Sequence, residues 1–123
     1  MWSNINPAMV GWSQRLNDAG IKTALLSNMH SDLVKHVKTF EWLQRFNITT
    51  FSAELGMVKP DAAIYEHTLR KLGTIPERTV FVDDRARNIE AARELGIHAI
   101  QFRSIEQLQS DLQGFTLPPP MKP

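Results

Sequence analysis

Thr79-Val80-Phe81-Val82-Asp83-Asp84-Arg85-Ala86-Arg87-Asn88-Ile89-Glu90-Ala91-Ala92-Arg93-Glu94-Leu95-Gly96 is the stretch that decides the fold of this chain. Its first four residues are β-branched or aromatic and lack polar alternation, as in a strand covered on both faces. Two aspartates end the apolar run. The segment after them carries Ile89, Ala92 and Leu95 at helical spacing and closes on Gly96, which suits a left-handed stop. Strand, acidic turn and helix make one unit of a parallel α/β sheet, and the flanking segments repeat it.

Downstream, His98-Ala99-Ile100-Gln101-Phe102 reads as another strand. Ser104 with Gln107 three residues on forms a capping-box pattern for a last helix with Ile105, Leu108 and Leu112. Upstream, Pro60-Asp61 opens a helix with Tyr65, Leu69 and Leu72 aligned and Gly73 as its stop. Ile48-Thr49-Thr50-Phe51 and Lys22-Thr23-Ala24-Leu25-Leu26-Ser27 read as strands. A helix starting near Ser31, with Leu33, Val37 and Phe40 on one side, joins these two. The first helix runs from about Pro7 to Ala19, with Met9, Trp12, Leu16 and Ala19 on a single face. Alternation throughout predicts a parallel sheet with helices on both faces, in a single domain over residues 1–117. Residues 118–123, with Pro118-Pro119-Pro120, are expected to form a disordered tail.

The chain has 123 residues, 42% hydrophobic and 22% charged, with a net charge of +1. Those values suit one soluble globular domain and exclude the basic stripe of a nucleic-acid binder. There is no cysteine, so neither a disulfide framework nor a thiolate metal site exists. The apolar runs are far shorter than a membrane span, and Met1-Trp2-Ser3-Asn4 does not resemble a signal peptide. A cytoplasmic protein acting on a small molecule, without nucleic acid or membrane, is the expectation.

In open parallel sheets, ligands bind outside the carboxyl ends of the strands. Ser27-Asn28, Lys59 and Asp83-Asp84 all fall at such ends. Taken singly, the first reads as a helix cap and the second as a solvated lysine. Adjacent aspartates ending an apolar strand are more telling. Like charges side by side repel unless a helix N-terminus or a divalent cation offsets them. Together the three can hydrogen-bond phosphoryl oxygens, neutralise developing charge and hold Mg²⁺. Receiver domains of two-component signalling use a similar set, but with the acidic pair first and the lysine last, the reverse of the order here. The four histidines, His30, His36, His67 and His98, show no ligand spacing, and no nucleotide-binding glycine loop is present.

Leu25-Leu26-Ser27-Asn28, Gly56-Met57-Val58-Lys59-Pro60-Asp61 and Val80-Phe81-Val82-Asp83-Asp84 resemble, in order, motifs II, III and IV of the haloacid dehalogenase (HAD) superfamily. The resemblance covers residues 7–103. It is nearest to the sugar-phosphate phosphatases of that superfamily and the phosphatase domain of soluble epoxide hydrolases. It implies a three-layer Rossmann-like core and an Mg²⁺-dependent phosphatase acting through an aspartyl-phosphate on small phosphorylated metabolites. By the same resemblance Ser27 and Asn28 bind the phosphoryl group and Lys59 is the catalytic cation. Asp84 is the direct Mg²⁺ ligand, and Asp83 is a second ligand or a partner outside the direct coordination. Asn88 reads either as a brace for that loop or as an ordinary first-turn helix residue.

One departure is large. Motif I, an Asp-x-Asp ending the central strand, supplies the family's nucleophile, and no Asp-x-Asp occurs in this sequence. Asp18, Asp32, Asp61 and Asp111 fall in helices, caps or turns. The helical cap is absent too, so the chain reads as an N-terminally truncated core that is inactive alone and binds Mg²⁺ weakly. The competing reading, from another class, is a non-catalytic α/β module for binding or complementation. In the family the motif I strand lies between the strands ending at Ser27 and Asp83. Its absence leaves a gap to be closed by direct pairing, filled by another chain, or left open to self-association.

Overall fold

The computed structural model describes residues 7–27, 46–59 and 61–115, together with positions 32, 35 and 41. The helix expected near Ser31 and the tail at 118–123 fall outside that description, apart from two helical positions at 32 and 35. Described elements are α1 (Pro7–Asp18), β1 (Ala24–Ser27), β2 (Ile48–Phe51), α2 (Ser52–Leu55) and α3 (Ala62–Leu72). They continue with a 3₁₀ turn (Pro76–Arg78), β3 (Val80–Asp83), α4 (Ala86–Glu94), β4 (His98–Gln101), α5 (Ile105–Asp111) and a 3₁₀ turn (Leu112–Gly114). None of the described helices is long and apolar enough to cross a membrane.

Punctuation residues act where the sequence placed them. Gly73 adopts φ 69° after α3, where a side chain would be strained, and its N–H returns to the carbonyls of Leu69 and Arg70. At the start of α5 both halves of the capping box form: Ser104 Oγ accepts from the Gln107 N–H, and Gln107 Oε1 accepts from the Ser104 N–H. The four-residue α2 was not expected from the sequence. Gly56, at φ 66°, ends it with an N–H to the Ser52 carbonyl and turns the chain toward Lys59.

The sheet comes in two parts. β1 pairs with β2 and β3 with β4, both in parallel, and among the described residues no hydrogen bonds join the pairs. Direct closure of the gap between β1 and β3 therefore does not occur. Side chains hold the halves together instead. On one face, Ile64, Tyr65 and Leu69 of α3 and Ile89 and Ala92 of α4 form a cluster that takes in Leu26 of β1 and Phe81 of β3. On the other, Trp12 and Leu16 of α1 pack with Leu108 and Leu112 against Val80, Val82 and Ile100. Successive residues of β3 thus point to opposite layers, as the pleat requires. The result is an α/β fold of helix, sheet and helix layers.

Burial along the strands runs opposite to their apolarity. The outer strands hold the buried residues: Thr50 and Phe51 are 2% and 1% exposed, and Ala99 and Ile100 are 7% and 8%. Val80, Phe81, Val82 and Asp83, on an inner strand, are only half-buried, and so are Ala24, Leu25 and Leu26.

Candidate functional site

Two chain segments meet at the carboxyl ends of the strands. β2 runs into α2, Gly56 turns the chain back, and Lys59 follows on the loop. β3 ends at Asp83, and α4 starts three residues later with Arg85 at its cap position. Lys59 Nζ donates to Asp83 Oδ2 at 2.7 Å, joining residues 24 positions apart, with side chains 11% and 7% exposed. Asn88 Nδ2 donates to the same oxygen at 3.2 Å, and the Arg85 N–H donates to Oδ1 at 2.9 Å. Burial pushes the Asp83 carboxyl up, but Lys59 and the Arg85 amide pull harder and hold it below the ordinary carboxylate range. The charge that would repel Asp84 is thus answered by an ammonium and two N–H donors.

Beneath this carboxylate lies a second layer of support. Tyr65, buried in α3, donates its hydroxyl to the Asn88 carbonyl at 3.0 Å and packs edge-on against Phe81 at 5.4 Å. Lys59 Nζ sits 5.9 Å from the Phe81 ring centroid. Burial and the nearby Asp83 charge push the Tyr65 phenol up to about 12, so it stays a hydrogen-bond donor. Asn88 is therefore a brace: it is 5% exposed and touches Asp83 with its side chain and Tyr65 with its carbonyl. Residue spacing points to Tyr65 only as a core residue, and the sole sign of this role is a tyrosine where phenylalanine would fill the same position.

Asp84 stands exposed beside Asp83, and its carbonyl accepts from Gln101 Nε2 at 3.1 Å. Ser27 ends β1 opposite Phe51, and Asn28 lies outside the described residues. The structure thus brings Lys59, Asp83, Asp84 and Asn88 together and places Ser27 at the end of another strand. As a cation site, the corner offers hard carboxylate oxygen of the kind Mg²⁺ prefers. The donors on Asp83 leave Asp84 as its outward carboxylate. Among the described residues no group of three acidic or histidine side chains converges on one point.

A family model described as haloacid dehalogenase-like hydrolase matches residues 4–96. The chain is 28% identical over 119 residues to the rat bifunctional epoxide hydrolase 2, covering 92% of this chain and 21% of that protein. It is 31% identical over 91 residues to a sesquiterpene phosphatase of Aspergillus oryzae, covering 72% of this chain and 46% of that protein. It spans less than half the length of either relative. A HAD family enzyme from Bacteroides thetaiotaomicron, solved with magnesium and inorganic phosphate, superposes with a TM-score of 0.70 at 28% identity. That match covers 80% of this chain and 53% of the enzyme.

Proposed function

From the premise that this chain belongs to the haloacid dehalogenase-like hydrolases, we propose that it forms most of the core of a phosphatase acting on small phosphorylated metabolites. The observation that carries this reading is the 2.7 Å contact between Lys59 and Asp83 at the strand ends, with Asp84 beside it. A lysine aimed there can neutralise charge on a transferring phosphoryl group, and a held carboxylate keeps that lysine in place. Ser27, at the end of β1, and Asn28, next in sequence, would be the phosphoryl-binding pair. Asp84 would hold Mg²⁺ directly, and Asp83, whose oxygens already accept three hydrogen bonds, would act from outside the direct coordination. Bound there, the ion would neutralise charge on the phosphoryl oxygens.

In the complete enzyme an aspartate carboxylate attacks phosphorus, the ester P–O bond breaks and the alcohol leaves with a proton. Water then attacks the aspartyl-phosphate and releases inorganic phosphate. The attacking carboxylate belongs to an Asp-x-Asp that this sequence lacks. Losing a nucleophile costs on the order of 10⁶-fold in rate. The chain alone is therefore expected not to hydrolyse p-nitrophenyl phosphate with Mg²⁺, and fusion to an N-terminal segment carrying Asp-x-Asp is expected to give turnover. Turnover by the unfused chain that disappears in Asp84→Asn would overturn the silence. A silent fusion with intact folding would overturn the phosphatase reading. With few protein ligands, Mg²⁺ should bind only on the order of millimolar. Calorimetry giving micromolar affinity would contradict that ligand set.

A further inference from the structure

Among the described residues β4 pairs on one side only, with β3, so its other edge ends the sheet. The Thr79 and Asp83 carbonyls accept from the N–H groups of His98 and Phe102. Residues 98, 100 and 102 therefore address β3, and Ala99, Gln101 and Arg103 turn their backbone groups outward. An outward row of this kind is a template on which another strand can pair. Here side chains occupy it. Arg93, in the last turn of α4, donates Nε and Nη2 to the Ala99 carbonyl at 3.3 and 3.0 Å. Gln107, in the first turn of α5, donates Nε2 to the Gln101 carbonyl at 2.9 Å and accepts from the Arg103 N–H at 2.8 Å.

We infer that Arg93 and Gln107 close the outer edge of β4 to strand addition, and that the addition they exclude is a second copy of this chain pairing β4 on β4. The inference is independent of the phosphatase reading and uses none of its residues.

The arrangement at Gln107 carries the argument furthest. A residue of a neighbouring parallel strand donates its N–H to one carbonyl and accepts from the N–H two positions later. The Gln107 amide does both, at Gln101 and Arg103, and so takes the place that an added residue would need. Its orientation is fixed. Oε1 also accepts from the Ser104 N–H, and Nε2 also donates to Asp111 Oδ2, so an exchange of oxygen and nitrogen would set donor against donor. The capping box of α5 accounts for Oε1 alone, and the bond from Nε2 to the strand serves no cap. At Ala99 the guanidinium presents two donors and a positive charge, so an incoming N–H would meet other donors there. Together the two side chains take both outward carbonyls of β4. A two-fold pair uses the same edge twice, so a second copy is the partner that a single open edge always supplies.

Amide exchange of the full chain, read by NMR over a concentration series, tests this. In the native chain, exchange at Ala99 and Gln101 is expected to stay independent of concentration. The double variant Arg93→Met/Gln107→Glu keeps the aliphatic stem at the first position and the capping acceptor at the second, while removing the donors to both carbonyls. It is expected to slow exchange at Ala99 and Gln101 by about tenfold or more as concentration rises, as for amides in paired strands. Each single variant frees one carbonyl and is expected to give a smaller effect at the same amides. Concentration-dependent protection at these amides in the native chain would show an open edge and would overturn the inference. Folded variants without it, or with protection confined to other amides, would show that Arg93 and Gln107 are not what closes β4, and would overturn it too.

Discussion

β3 and β4 are neighbours of equal length in one parallel pair, and they differ in an instructive way. β3 reads Val-Phe-Val-Asp and β4 reads His-Ala-Ile-Gln, so the inner strand is the more apolar. Yet Ala99 and Ile100 of β4 are buried while Val80, Phe81 and Val82 of β3 are half-exposed. Apolarity normally tracks the area removed from water, so β3 is written for more company than it keeps. The same holds across the other pair, where Thr50 and Phe51 of outer β2 are buried and Leu25 and Leu26 of inner β1 are not.

The sharpest way to break this comparison is to cut one side chain from each strand. Ile100→Ala should cost about 3 kcal/mol, because it empties a packed site between Trp12, Leu16 and Leu108. Val82→Ala removes atoms that are already partly wet and should cost nearer about 1 kcal/mol. Urea melts of the two variants measure this, and equal losses would mean that the inner strand is as well covered as the outer.

Acid exposes a second difference, since only the inner strand ends in a charge. The folded Asp83 carboxyl lies below its unfolded value of about 3.9, so its stabilisation is complete above that value and lost as pH falls through the folded one. Midpoints measured from pH 6 down to pH 2 should fall over this range, and Asp83→Asn should flatten the fall. A slope unchanged by the substitution would place the titrating group elsewhere. The smallest effect belongs to the support beneath. Tyr65→Phe deletes one hydroxyl and should cost about 1 kcal/mol at neutral pH through the lost hydrogen bond to the Asn88 carbonyl. The phenol, raised to about 12, contributes stability present below its unfolded value of about 10 and lost as pH climbs through 12, so the variant should also flatten the alkaline limb.

The sequence was a good guide to what is local and a poor one to what is not. Strand β2, the stops at Gly73 and Gly96 and the capping box at Ser104 were legible, because each is decided by residues within a turn or two of one another. Helix α2 was missed because Ser52-Ala53-Glu54-Leu55 is too short to show a period, although Gly56 marked its end. At the site, the strand-end positions of Lys59 and Asp83-Asp84 were legible, and the structure brings these residues together. Spacing could not say that Asp83 would be held by Lys59, Asn88 and the Arg85 amide, since those partners come from two chain segments. Nor could it give the tyrosine hydroxyl a partner 23 residues away.

The contact between Lys59 and Asp83 crosses the division of the sheet. One residue follows β2 and the other ends β3, in pairs that share no backbone hydrogen bonds among the described residues. Those 2.7 Å therefore act as a caliper set across the two halves. A change in the spacing of the two pairs moves the ammonium relative to the carboxylate, so the charge pattern of the corner follows that spacing. Geometry and electrostatics are here one variable, adjusted from the middle of the sheet.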